Sequence, residues 1–202
     1  TIENGATILD TIEGEIPLEI FGKHNLQNLE GARSICFHLG IGEEEFYEAI
    51  ADFKGASKRL EKIAENDTTV VYKDFAHSPS KVGATTKAVR EPYPDRKLLA
   101  CLELHTYSSL NEDFLKEYES TLDGADEAVV FYSPHAVKIK RLKEVTEEQI
   151  ANAFRRDDLI IYTEPKAFKK YLFEQNLKDT VLLLMSSGNY GGLDFEELKE
   201  LL

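Results

Sequence analysis

The chain has 202 residues, 42% of them apolar and 30% charged, with a formal net charge of −13. That length holds one medium domain, or a small domain plus a piece of another, and no apolar run is long enough to cross a bilayer as a helix. Lysines and arginines are scattered among acids, so a nucleic-acid surface, which needs clustered cations against phosphate, is excluded.

The N-terminus shows no basic-then-apolar leader pattern, which reads as cytoplasmic. The two cysteines, Cys36 and Cys101, sit far apart in apolar contexts without a C-x-x-C. They are expected to be buried free thiols, and the spacing argues against zinc held by cysteine.

Residues 1–22 alternate apolar and polar positions with Gly and Pro punctuation, which predicts two short strands with a hairpin about Glu13–Gly14. The stretch 25–41 has a helical period, with Leu26, Leu29, Ala32, Ile35, Cys36 and Leu39 on one face and Gly40 as a stop. A second helix over 43–53 opens on three acids, suited to a helix N-terminus. From about residue 67 the pattern changes. Strands are predicted at 68–73, 97–104, 127–132, 158–163 and 180–186, with helices at 79–91, 111–121, 146–155 and 164–176. Near-continuous apolar strands alternating with helices specify an α/β fold, a mostly parallel, doubly wound, Rossmann-like sheet. The change near residue 56 divides the chain into 1–56 and 57–202. The first part has too little apolar material to stand alone and is expected to be an incomplete α/β segment of a larger protein.

In such a sheet ligands gather beyond the carboxyl ends of the strands. DFAHSP (74–79) stands there, with Ser78 and Pro79 suited to begin a helix and with Asp74 and His77 left over by that explanation. HTYSS (105–109) follows the second strand, and the Gly-rich SSGNYGGL (186–193) follows the last. Upstream, Asn25 and Asn28 lie one turn apart at a helix start, placed either to cap it or to meet the donor–acceptor edge of a purine. Arg59 stands near the boundary, as a solvated surface residue or a phosphate ligand.

Taken in order, these segments resemble the Mur ligases, a family of ATP-dependent amide-bond ligases. GKHNLQNLEGA resembles the family's H-N-x-x-N adenine-contacting helix. KRLE resembles the arginine-containing segment that opens its C-terminal domain. DFAHSP resembles the D-Y/F-G/A-H-x-P motif at that domain's first strand. The resemblance implies that 1–56 is the end of the central ATPase domain and 57–202 the acceptor-binding C-terminal domain. It implies nucleotide contacts from Asn25, Asn28, Arg59, Asp74 and His77, with Asp74 accepting from ribose hydroxyls and Asp74→Ala raising the KM for ATP while leaving the fold intact. It implies acceptor contacts from His105, Thr106, Tyr107, Ser108, Ser109, Ser186, Asn189 and Gly191.

The implied chemistry is phosphorylation of the carboxylate of UDP-N-acetylmuramate by ATP with Mg2+, then attack by an amine. The branch that adds alanine carries H-R-Y-x-R where this chain has HTYSS, so Thr106 and Ser109 replace two arginines suited to a carboxylate. The ending LMSSGNYGGL and the acid in LEL (102–104) look more like the murein peptide ligase branch, which joins L-Ala-γ-D-Glu-meso-diaminopimelate. The family's Gly-Lys-Thr/Ser phosphate loop does not occur in these residues, and no metal ligands are assigned. The expectation is therefore a fragment, inactive alone, that takes ATP and Mg2+ mainly through other parts of the protein. A non-catalytic α/β binding module is the alternative of another class.

Overall fold

The computed structural model describes residues 2–3, 6–12, 14–56 and 59–202. Near the N-terminus β1 (Ile2–Glu3), β2 (Ala6–Thr11) and β3 (Gly14–Leu18) form a small antiparallel sheet. Thr7 faces Leu18 and Thr11 faces Gly14, so the hairpin closes where it is expected, although Glu13 lies outside the described residues. α1 (Lys23–His38) and α2 (Glu43–Ala51) follow. Glu45 reaches back to the Gly42 N–H at 3.1 Å, and Glu43, Glu44 and Glu45 occupy the first turn, as the dipole favours.

The predicted apolar face of α1 is only partly buried. Leu29 is buried with Leu18, Ile20 and Phe46, and Leu26 and Cys36 pack against that cluster. Ile35 and Leu39 remain 64% and 75% exposed, and Phe37 is exposed beside them. Periodicity selects a face, but among the described residues this small sheet and α2 supply too little surface to cover its C-terminal half. Both cysteines are free, Cys101 buried as expected and Cys36 only half-buried.

The second part is a six-stranded sheet with strand order β4-β5-β9-β6-β7-β8. The five expected strands are β5 (Thr69–Asp74), β6 (Lys97–Glu103), β7 (Glu127–Phe131), β8 (Ile160–Tyr162) and β9 (Thr180–Met185), all mutually parallel. The sixth, β4 (Glu61–Glu65), was not expected from its composition, EKIAE. It pairs antiparallel on the edge of β5 with a register break between Lys62 and Ala64. Charges and a bulge are what a solvated edge strand requires, and they erase the apolar signal of a strand.

Alternate residues of the parallel strands point to opposite faces. Val70, Leu98, Leu102 and Val130 meet α3 (Pro79–Arg90), α6 (Glu147–Phe154) and Tyr118 on one side. Val71, Cys101, Val129 and Leu184 meet α7 (Pro165–Glu174) and Leu198 on the other. Both faces are thus covered, and the sheet is doubly wound. The predicted helix over 111–121 is instead α4 (Glu112–Leu115) running into a 3-10 turn, and α5 (Pro134–Ile139), not expected, starts on the Ser133 cap.

The two parts touch through Phe21 and Gly22. The Phe21 ring meets the Tyr72 ring edge-on at 5.4 Å. A Cβ on Gly22, whose φ is +86°, would come within 2.8 Å of the Ala88 Cβ. Glycine there satisfies both the backbone angle and the close approach to α3.

Candidate functional site

β9 lies between β5 and β6, and the carboxyl ends of these three strands are joined by one residue. The Ser186 N–H donates to the Asp74 carbonyl at 2.9 Å. The Ser186 hydroxyl donates to Glu103 Oε2. Asp74, Ser186, Glu103 and the segment 105–109 therefore share one end of the sheet, as the strand-tip rule anticipates.

Asp74 is 6% exposed, and its carboxylate is already engaged. Oδ2 accepts from the Leu60 N–H at 2.8 Å, and Oδ1 from the Ala76 N–H at 2.7 Å and the Thr85 hydroxyl at 3.4 Å. Leu60 has φ +46°, an uncommon conformation for a branched side chain that the Asp74 bond helps to hold. These bonds weigh against the expectation that Asp74→Ala leaves the fold intact, because the side chain satisfies one part-buried and one buried backbone donor.

Arg59 stands with its guanidinium 5.5 Å from the Phe75 ring centroid, and the His77 ring packs edge-on against the same ring at 5.1 Å. His77 Nδ1 lies 2.8 Å from the Phe75 carbonyl. Arg59, Asp74 and His77 are thus brought together, while their neighbours Ser57 and Lys58 lie outside the described residues. Asn25 and Asn28 lie in the first turns of α1. The Asn25 amide donates to the Phe21 carbonyl at 2.9 Å, and the preceding Gly22 is docked at Ala88, in the last turns of α3. His77 precedes the first turn of α3, roughly 13 Å away along a helix rising about 1.5 Å per residue. No hydrogen bond among the described residues joins either asparagine to Asp74, His77 or Arg59.

Around Glu103 the packing is tighter. Glu103 is 3% exposed. Its Oε2 also accepts from the Tyr190 N–H at 2.9 Å, and its Oε1 lies 3.5 Å from His105 Nδ1. The Ser186 hydroxyl accepts from the Gly188 N–H at 2.7 Å. Tyr190 locks the loop: its hydroxyl reaches the carbonyls of Cys101 and Met185 at 2.8 and 2.9 Å, and its ring stacks on Phe168 at 4.9 Å. Burial pushes the Tyr190 phenol well above its ordinary range. Sequence reasoning noted Glu103 only as part of LEL and passed over Tyr190. A lone acid ending an apolar strand was the available signal.

The remaining acceptor residues divide. The Thr106 hydroxyl donates to Ser109 Oγ at 2.9 Å, and the Ser109 hydroxyl to the Thr106 carbonyl at 3.1 Å. Ser109 is 1% exposed, so it builds the turn from beneath rather than lining a cleft. Ser108 and Tyr107 are exposed, and Lys140 Nζ lies 4.8 Å from the Tyr107 ring centroid. That lysine was not singled out from the sequence. Asn189 caps its own turn through the Gly192 N–H at 3.2 Å. Gly191 has φ +72°, and a Cβ there would meet Pro165 at 2.5 Å, so packing against α7 demands the glycine. Tyr118 holds the loop after β5 from below, donating its hydroxyl to the His77 carbonyl.

Among the described residues no group of three or more His, Cys, Asp and Glu is arranged to hold a metal ion. No helix among them is long and apolar enough to cross a membrane.

Comparison with known proteins gives a consistent answer. Residues 58–188 match the family described as "Mur ligase, glutamate ligase domain". A UDP-N-acetylmuramate–L-alanine ligase of Carboxydothermus hydrogenoformans is 30% identical over 191 residues, covering 94% of this chain and 40% of that protein. The solved UDP-N-acetylmuramate–alanine ligase of Thermotoga maritima superposes with a TM-score of 0.69 at 19% identity, over 87% of this chain and 37% of its own. A murein peptide ligase of Psychrobacter arcticus superposes with a TM-score of 0.62 at 20% identity, over 95% and 40%. At those identities the two structures speak for the fold, and the family match carries the assignment: the chain belongs to the Mur ligase family, through the glutamate ligase domain that occupies most of its length.

Proposed function

We propose that this chain is part of an ATP-dependent ligase that joins an amine to the carboxylate of UDP-N-acetylmuramate through an acyl phosphate, with a short peptide as the preferred amine. Residues 1–56 then belong to the central ATPase domain, a reading supported by the bare Ile35, Phe37 and Leu39 and by the 40% share of its relative that the chain spans. ATP, when bound with magnesium, supplies the phosphoryl group that activates the carboxylate. Arg59, Phe75 and His77 offer a cation and an edge-on pair of aromatic rings to the nucleotide. Asp74 can meet ribose hydroxyls only while still holding Leu60 and Ala76. Asn25 and Asn28 serve adenine if the first part swings toward the strand tips.

The observation that carries the peptide preference is the turn 105–109. Thr106 and Ser109 stand where the alanine-adding branch has arginines, and both hydroxyls are spent within the turn. A single amino acid would find no bidentate clamp there for its carboxylate. A second reading, L-alanine as the amine, is favoured by the relative of Carboxydothermus hydrogenoformans, which carries that name.

The test is product analysis with the full-length protein, UDP-N-acetylmuramate and ATP. The tripeptide L-Ala-γ-D-Glu-meso-diaminopimelate is expected to be joined with higher kcat/KM than L-alanine. The reverse order would replace the first reading by the second, and no product with either would remove both.

A further inference from the structure

We propose that Glu103 is a positioning residue that holds His105 as the base for the incoming amine, an inference that rests on the ligase reading above. Glu103 is 3% exposed, and such a carboxylate must have its oxygens satisfied from within. Oε2 is satisfied by the Ser186 hydroxyl and the Tyr190 N–H. Oε1 faces His105 Nδ1 at 3.5 Å, a separation that can tighten when substrate closes the site.

An ionised carboxylate only accepts, so the nitrogen turned to it carries the proton. Nε2 is then the unprotonated nitrogen, on the far side of a ring whose side chain is 44% exposed. The loop opposite is bare by necessity. A Cβ on Gly188 would come within 2.7 Å of Glu103 Oε2 and within 3.1 and 3.2 Å of His105 Cγ and Nδ1. Only a glycine lets the acid and the imidazole meet under that loop.

The proposed reaction needs such a base. An α-amino group has a pKa of about 8, so at neutral pH it arrives mostly as an ammonium without a free lone pair. It gives one proton to His105 Nε2. Its lone pair then forms the N–C bond as the C–O bond to phosphate breaks. The leaving phosphate keeps the electron pair of that bond and takes the second surplus proton. Glu103 keeps its own charge and steadies the imidazolium while it exists.

The test uses the full-length protein with UDP-N-acetylmuramate, ATP and Mg2+, and two nucleophiles. One is the amine that the product analysis identifies. The other is hydroxylamine, which is uncharged at neutral pH and traps an acyl phosphate as a hydroxamate without a base. Glu103→Gln turns an N–H donor toward Nδ1, moves the imidazole proton to Nε2 and removes the acceptor. His105→Gln removes the base at a half-exposed position, where folding is not at risk. Each is expected to lower the ratio of amide to hydroxamate by about 100-fold, within the usual range for a general base. An unchanged ratio, whether both products fall together or neither falls, overturns the dyad and leaves the ligase reading standing. Absence of hydroxamate and amide from the unsubstituted protein overturns the ligase reading and the dyad with it.

Discussion

Gly188 lies so close to Glu103 that a Cβ would stand 2.7 Å from Oε2. The oxygen cannot yield without abandoning the Ser186 hydroxyl or the Tyr190 N–H. Gly188→Ala is therefore expected to cost about 1–3 kcal/mol, as overpacking does, and to push His105 off its acid. Thermal unfolding should show the loss. In the full-length protein the amide-forming rate should fall about 100-fold, the usual consequence of a displacement near 1 Å. A stable, fully active variant would show that the loop re-forms freely.

Asp74 serves the fold before any ligand. Asp74→Ala strips the acceptor from the Leu60 and Ala76 N–H groups, each worth about 1–3 kcal/mol when left unpaired. Chemical denaturation should show about 2–4 kcal/mol lost in total, since Leu60 can regain water. A rise in the KM for ATP is informative only once this loss has been measured.

Tyr118 is buried, and its hydroxyl holds the His77 carbonyl, with Ser109 also in reach. Burial raises its pKa, so it remains a neutral donor at physiological pH. Tyr118→Phe should cost about 1–2 kcal/mol, the usual cost of a buried carbonyl left without its donor. Faster amide exchange at residues 76–78 and 106–109 together would show that the ring couples the two loops. Exchange unchanged at both would refute the coupling.

The amino ends of the strands carry an acid-sensitive contact. Burial alone would raise the Glu127 pKa, but bonds from Lys97 and Tyr171 outweigh it and hold the carboxyl below its ordinary value near 4.5. A carboxyl depressed on folding stabilises fully above its unfolded value and loses that contribution as pH falls through the folded value. Stability should therefore decline below about pH 4.5. Glu127→Gln should cost about 1 kcal/mol at pH 7 and nothing at pH 3, so the two stability curves converge in acid. Parallel curves across that range would refute the assignment.

Periodicity and composition alone settled the five parallel strands, because a strand covered on both faces must be apolar at nearly every position, as in TVLLLM of β9. They also located the strand tips, and with them Asp74, His77, His105 and Ser186. What tertiary structure alone decided lies in the partners of single atoms. The edge strand β4 is visible only through its pairing, since solvated edges carry charge. Ser109 and Gly191 read as ligand-facing loop residues, yet one is sealed beneath its own turn and the other is pressed against Pro165. Glu103 is an ordinary acid in the sequence. It acquires a role because β9 inserts between β5 and β6 and brings Ser186, Gly188 and Tyr190 onto it from more than eighty residues away. Local patterns report which face a residue presents. Contacts between distant segments depend on strand order, which no local pattern encodes.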